Sequence, residues 1–127
     1  MRRPILLDAS FLIALEQETA RGEQGPARRF LPSLRGRRLV VSIVGVEEIL
    51  EGAADEAAAL ASLQRFSIQG LHLAQARRCA LLQRRAPHRL GENDAWLVAT
   101  ADSINADVAG TDRVAFERLG HRYLRFR

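Results

Sequence analysis

The stretch Ile5-Leu6-Leu7-Asp8-Ala9-Ser10 predicts the fold class of this chain. Its three consecutive apolar residues are typical of a short strand that is buried on both faces, and Asp8 ends that strand with a carboxylate. The apolar residues between positions 11 and 15 then favour a helix, for which Ser10 can serve as the N-cap. A buried strand that leads directly into a helix is the opening unit of a parallel α/β sheet.

The rest of the chain repeats this alternation of strand and helix. Further strands are predicted at residues 39–41, 67–69, 108–110 and 123–124. Helices are predicted at residues 26–34, 43–52, 55–66 and 72–85, from Asn93 or Asp94 onward, and at 112–119. We therefore expect one α/β domain over residues 1–127, with a mostly parallel sheet and helices on both of its faces.

Composition excludes several classes of protein. Apolar residues make up 47% of the 127 positions and charged residues 27%, which is the balance of a globular chain and not of a disordered one. Cys79 is the single cysteine, so an internal disulfide and a cysteine zinc site are excluded. No apolar run approaches the roughly 18 residues of a membrane helix, and we expect a cytoplasmic protein. All 19 basic residues are arginine, and the net charge of +4 admits phosphate-bearing partners without requiring them.

Acidic residues follow the predicted strands, at the edge where parallel sheets carry their sites. Asp8 ends the first strand, Asp112 comes just after the strand at 108–110, and Asp94 lies at the start of a helix. The helix after the second strand adds Glu47 and Glu48, and helix geometry does not choose between them because both lie off its apolar face. Taken singly, Asp94 and Asp112 could equally be ordinary helix caps.

Together these acids predict a metal site. Clustered carboxylates repel one another unless a cation lies among them. Oxygen ligands favour Mg²⁺ or Mn²⁺, which keep several of their waters when bound. Such an ion polarises a phosphoryl oxygen and activates an attacking water, so the pattern predicts metal-assisted hydrolysis of a phosphodiester.

Four stretches of the sequence, in this order, resemble the PIN-domain nucleases, specifically the VapC-type toxins of toxin–antitoxin pairs. Their spacing agrees with that family from Asp8 to Phe116, which is nearly the whole chain. The stretches are Leu6-Leu7-Asp8-Ala9-Ser10 with residues 12–15, Ser42-Ile43-Val44 with Glu48 and Gly52, Asn93-Asp94-Ala95-Trp96-Leu97-Val98-Ala99-Thr100-Ala101, and Gly110-Thr111-Asp112 with Phe116.

The resemblance assigns roles to individual residues. It implies four catalytic acids, which are Asp8, Glu48, Asp94 and Asp112. Of these, it implies that the three aspartates are metal ligands. It selects Glu48 over its neighbour because the family glutamate falls four residues before a glycine, here Gly52. It places supporting residues beside these acids: Ser10, Asn93 and Thr111. In many relatives a further residue separates the threonine from the last aspartate, whereas here Thr111 and Asp112 are adjacent.

The resemblance also implies an architecture and partners: a five-stranded parallel sheet, a homodimer, an RNA substrate, and an antitoxin that blocks the site. Arginine clusters at residues 28–38 and 77–89 are candidates for phosphate contacts, because guanidinium groups bind phosphate oxygens bidentately. His88 and Arg89 are the candidates closest to Asp94 in sequence. Trp96 could stack on a base, or it could pack in the core or at a dimer interface.

Two other functions stay open at this point. A receiver-like phospho-acceptor domain also carries an aspartate after a parallel strand, but it requires a lysine that this chain lacks. A non-catalytic RNA- or protein-binding module on the same fold would bind its partner without cleaving it. The four acids favour an Mg²⁺- or Mn²⁺-dependent endoribonuclease, the toxin of a type II toxin–antitoxin pair.

Overall fold

The computed structural model describes residues 2–111, 119–120 and 122–127. Strands and helices alternate there as predicted: β1 (Ile5–Leu7), α1 (Ala9–Arg21), α2 (Pro26–Phe30), a 3₁₀ turn (Leu31–Leu34), β2 (Leu39–Ser42), α3 (Ile43–Glu51), α4 (Glu56–Leu63), β3 (Ser67–Gln69), α5 (Leu73–Arg85), α6 (Glu92–Ser103), β4 (Asp107–Gly110) and β5 (Tyr123–Arg125). The helix predicted at 112–119 lies outside the described residues except at its last position. None of the helices in the described part is long and apolar enough to cross a membrane.

The described strands form one sheet of five, in the order β3-β2-β1-β4-β5. Every neighbouring pair is parallel, so the predicted α/β class and the five-stranded parallel sheet are confirmed. The first strand lies at the centre, where Ile5 is paired with Leu39 on one side and with Asp107 on the other. The residue that follows β1 therefore emerges in the middle of the carboxyl edge of the sheet.

Alternate strand residues face the two layers of helices. Ile5 and Leu7 join a core with α1, α2, α3 and α4, whereas Leu6 faces the opposite side, where α6 packs. Helix α5 lies outside α6, and the small cluster of Cys79, Ala95 and Ala99 joins the two helices. Helix α6 is thus covered on both sides, which holds its first turn in a fixed place relative to the sheet.

Two predicted helix boundaries are wrong at the amino-terminal half. Helix α1 begins at Ala9 with Asp8 in the N-cap position, and Ser10 lies inside the first turn. The reason is that the backbone of Asp8 takes part in both the sheet and the helix. Its N–H donates a hydrogen bond to the carbonyl oxygen of Ala109 in the sheet, and its own carbonyl oxygen accepts one from the N–H of Phe11 in α1. The helix predicted over 26–34 divides into α2 and a 3₁₀ turn, because Pro32 has no N–H to continue it.

The start of α6 also differs from the prediction. Its first residue is Glu92 and its N-cap is Gly91, so Asn93 and Asp94 are the second and third helical residues. The N-cap glycine has no side chain with which to bond the first turn. Asp94 is therefore not the N-cap residue, and its carboxylate lies in the first turn, where the helix dipole stabilises negative charge.

A buried glutamate joins α1 to α2. Glu18 is 8% exposed, and its carboxylate accepts hydrogen bonds from the backbone N–H groups of Ala27 at 3.0 Å and Arg28 at 2.8 Å. A side chain on Gly25 would overlap that carboxylate, which explains the glycine before α2. Burial raises the pKa of Glu18, but the two N–H donors and the charges of Arg28 and Arg29 outweigh it and leave the pKa below 4.5.

We expect Glu18→Gln to destabilise the fold in a pH-dependent way. Because the pKa is lowered in the folded state, the ionised carboxylate stabilises the fold above about pH 4.5, and this contribution is lost as the pH falls through the folded pKa. The urea midpoint of the variant should thus lie below that of the wild type at pH 7, and the two should converge towards pH 3. Glu16→Gln, an exposed change on the same helix, is the control, and a difference that stays constant with pH would contradict the assignment.

Candidate active site

The parallel topology brings several predicted residues to the carboxyl edge of the sheet. Asp8 follows β1, and Thr111 follows β4. Helix α3 starts at this edge because it continues directly from β2, and it carries Glu48 about 9 Å along its axis from Ser42. Helix α6 leads into β4 and therefore runs back along the sheet, so its first turn, with Asp94, lies at the same edge.

Asp8 is the best-defined acid of the site. It is 6% exposed, and its Oδ2 accepts a hydrogen bond from the hydroxyl of Ser10. The Ser10 oxygen in turn accepts from the backbone N–H of Thr111 at 3.2 Å. One hydroxyl thus fixes the Asp8 carboxylate and also ties the end of β1 to the chain that leaves β4 towards Asp112.

Gly110 lets the Asp8 side chain lie against the neighbouring strand. A Cβ at this position would be 2.9 Å from the Cβ of Asp8 and 3.1 Å from its Oδ2, closer than packed atoms approach one another. The glycine is therefore required by the close approach of a carboxylate and not by a special backbone conformation. This role of Gly110 was not predicted from the sequence, although a glycine at the end of a buried strand indicates such a close approach.

The structure separates Glu47 from Glu48. Helix α3 buries Gly45, Val46 and Ile49, whereas the apolar side chain of Ile43 is 42% exposed. At about 100° per residue, Glu48 lies about 110° from the centre of this buried face and Glu47 about 150°. Glu48 is accordingly half-buried, and Glu47 is exposed.

An open cleft of about 530 Å³ lies between α3, along its length from Ile43 to Glu51, and the first part of α6. Its lining combines apolar and acidic side chains: Ile43, Val44, Glu47, Glu51, Glu92, Asn93 and Trp96. Partial desolvation, together with the negative charge of Glu51 and a hydrogen bond between the two carboxyl groups, raises the pKa of Glu47. Asn93 and the half-buried Trp96 thus line this cleft together with three carboxyl groups, and its described lining residues include none of Asp8, Glu48 and Asp94.

The donor set at this edge consists of oxygen atoms. Asp8 and Asp94 offer carboxylates, the ligand type that Mg²⁺ and Mn²⁺ prefer. Within the described residues, no three His, Cys, Asp or Glu side chains form a group that could hold a metal ion. Asp112, the third predicted ligand, lies outside the described residues, so the described acids offer the type of oxygen donor that a hard cation prefers but not a complete group of ligands.

The predicted substrate contacts lie on an exposed loop between α5 and α6. His88 and Arg89 are both exposed there, and Arg89 forms an ion pair of 2.9 Å with Glu92 on the first turn of α6. Arg37, from the other arginine cluster, lies at the opposite edge of the sheet, where it binds Asp107 and the backbone oxygen of Arg3. That cluster therefore precedes β2 at the amino end of the strands, away from Asp8.

Known structures share this fold along nearly the whole chain. A toxin–antitoxin complex from Klebsiella pneumoniae contains a chain that is 21% identical, with a TM-score of 0.74 over 94% of this chain and 98% of that one. DNA-bound VapBC from Salmonella typhimurium has 15% identity and a TM-score of 0.74 over 99% and 100% of the two chains. FitAcB from Neisseria gonorrhoeae has 19% identity and a TM-score of 0.71 over 97% and 96%.

The sequence itself matches one family model, that of the PIN domain, from residue 5 to residue 121. A comparison with curated proteins finds no match. The matched range includes all four acids of the predicted site, and it begins at the first residue of β1. The chain therefore belongs to the PIN domain family.

Proposed function

We propose that this protein is a divalent-metal-dependent endoribonuclease and the toxin of a toxin–antitoxin pair. One observation carries the proposal: a buried carboxylate, that of Asp8, is held by Ser10 and Gly110 at the centre of the carboxyl edge. A buried acid at the end of an apolar strand is costly unless a cation or a donor compensates it. The PIN family, to which the chain belongs, consists in general of nucleases, and this supports the same reading.

The metal would be held by Asp8 and Asp94, with Asp112 as a further ligand. When bound, Mg²⁺ or Mn²⁺ supplies polarisation of the phosphoryl oxygen and a more acidic attacking water. Both aspartates lie at the carboxyl edge, Asp8 directly after β1 and Asp94 in the first turn of α6. These carboxylates carry negative charge towards a polyanionic substrate, and a bound cation would offset it, which is why we infer that the cation is part of the active form.

The protein residues hold the reacting groups in place. Ser10 fixes one oxygen of Asp8, and it also holds the backbone of Thr111 at the start of the segment that carries Asp112. Glu48 is half-buried on α3, and we assign it to orient the attacking water and accept its proton. Because Ser10 holds both Asp8 and the backbone of Thr111, this part of the site needs little rearrangement before the reaction.

The proposed partners follow from the relatives. The chains of similar structure from Klebsiella and Salmonella are described as members of toxin–antitoxin and VapBC complexes, which supports an antitoxin as partner here. We further propose a homodimer and a cytoplasmic site of action, where the protein would meet its RNA substrate. Membership of the PIN family removes the ground for the receiver-like alternative.

Cleavage of structured RNA by the full chain tests the proposal. We expect cleavage with Mg²⁺ or Mn²⁺ and none with EDTA, and a loss of more than about 100-fold in Asp8→Asn and Asp94→Asn. Asp55→Asn is the matched control, because Asn preserves the N-cap of α4 far from the edge. Equal cleavage by all variants would refute the proposal, and RNA binding without metal-dependent cleavage would favour the non-catalytic module.

A second test concerns the positioning of Asp8. We expect Gly110→Ala to lower the rate of RNA cleavage at least about tenfold and the free energy of unfolding by about 1–3 kcal/mol, because the added Cβ displaces Asp8. Gly52→Ala is the control, since a Cβ there would meet nothing closer than 4.0 Å. Both quantities should stay near wild type in the control, and unchanged cleavage in Gly110→Ala would show that Asp8 tolerates displacement.

A further inference from the structure

Helix α5 lies in the longest stretch of the chain without Asp or Glu, and this stretch is strongly basic. Between Glu56 and Glu92 the sequence contains no Asp or Glu over 35 residues. The same segment contains six arginines: Arg65, Arg77, Arg78, Arg84, Arg85 and Arg89. A net charge of +6 over so short a stretch creates a local positive field that the overall charge of +4 conceals.

Four of these arginines share one face of α5. Their positions follow the spacing i, i+1, i+7 and i+8, which places them on a stripe about 120° wide that also includes Ala74 and Leu81. We name this stripe the α5 arginine face, and its arginines are Arg77, Arg78, Arg84 and Arg85. All four are exposed, and Arg77, Arg78 and Arg84 border a shallow groove with Ala74 and Leu81. The helix buries a different side, through Gln75 and Cys79.

The α5 arginine face is not used to hold the fold together. Among the described residues, none of its four guanidinium groups forms an ion pair or a hydrogen bond. Other arginines do have such roles: Arg37 binds Asp107, and Arg122 binds Asp102 and the backbone of Ala106. The helix dipole stabilises the positive charges of Arg84 and Arg85 at the carboxyl end of α5, but Arg77 and Arg78 lie two turns away from that end.

The face leads towards the candidate active site. Helix α5 packs along α6 and is joined to it by the short loop 86–91, so the two helices run in opposite directions. The carboxyl end of α5, with Arg84 and Arg85, therefore lies at the same end as the first turn of α6 with Asp94. From Arg84 the face continues about 10 Å along the helix to Arg77.

We propose that the α5 arginine face binds the phosphate backbone of the RNA substrate beyond the bond that is cleaved. The proposal rests on the proposed function and identifies the surface that holds the polyanion while the acidic edge contacts a single phosphodiester. Charge separation within the chain supports it: carboxylates line the cleft between α3 and α6, and guanidinium groups line the adjacent α5. The guanidinium groups of α5 attract an RNA strand that spans both regions, whereas the carboxylates of the cleft repel it.

Direct binding of labelled RNA tests this surface. In the Asp8→Asn background, which keeps RNA intact, we expect Arg77→Gln/Arg84→Gln to weaken binding about tenfold at 0.1 M salt and to reduce the slope of log K against log salt by about 1.4. The matched control is Arg35→Gln/Arg38→Gln, which removes the same charge from exposed positions at the opposite edge of the sheet. We expect its affinity and salt slope to remain close to those of the parent.

Cleavage kinetics separate this inference from the proposed function. In the otherwise wild-type chain, Arg77→Gln/Arg84→Gln should raise KM for structured RNA while kcat changes less than about twofold. If the wild type cleaves RNA but the two double variants bind RNA equally, the α5 proposal is overturned and the proposed function stands. If the wild type cleaves no RNA, the proposed function fails, and the binding comparison still decides whether the face holds RNA. A changed oligomeric state in light scattering with unchanged RNA affinity would overturn the proposal in favour of a dimer surface.

Discussion

The close approach of the Asp8 carboxylate to Gly110 is the constraint on which the site depends. It is possible because β1 and β4 are parallel neighbours, and because the residue opposite Asp8 has no side chain. The Ser10 hydroxyl then bonds both the carboxylate and the backbone that leaves β4. Three short-range contacts thus connect the central strand, the first helix and the segment that leads to the last predicted acid.

Acidic and basic side chains occupy different regions of this fold. The carboxyl edge combines the predicted catalytic acids with a cleft in which desolvation and the charge of Glu51 raise the pKa of Glu47. Arginine serves two purposes elsewhere: Arg37 stabilises the amino end of the sheet through Asp107, whereas the arginines of α5 remain exposed beside the acidic edge. An acidic reaction centre with an adjacent cationic surface can attract a polyanion and still offer carboxylates to a metal.

The sequence predicts most of the sheet, because short apolar runs such as residues 5–7 are buried on both faces wherever helices cover a parallel sheet. The location of the acids at the carboxyl edge follows from the same pattern. Other features depend on contacts between distant residues and could not be predicted locally. Ile43 of α3 is exposed, α6 begins at Glu92 and not at Asn93 or Asp94, and Arg37 pairs with Asp107, which is 70 residues away.

The central claim is that the carboxylates at this edge form a divalent cation site built around Asp8. Titration of the metal-free protein with Mn²⁺, followed by electron paramagnetic resonance of the free ion, measures this without RNA or turnover. We expect one or more bound ions in the wild type and in Asp55→Asn, with binding weakened at least about tenfold in Asp8→Asn and in Asp94→Asn. Equal Mn²⁺ binding by all four proteins, or none by the wild type, would contradict it.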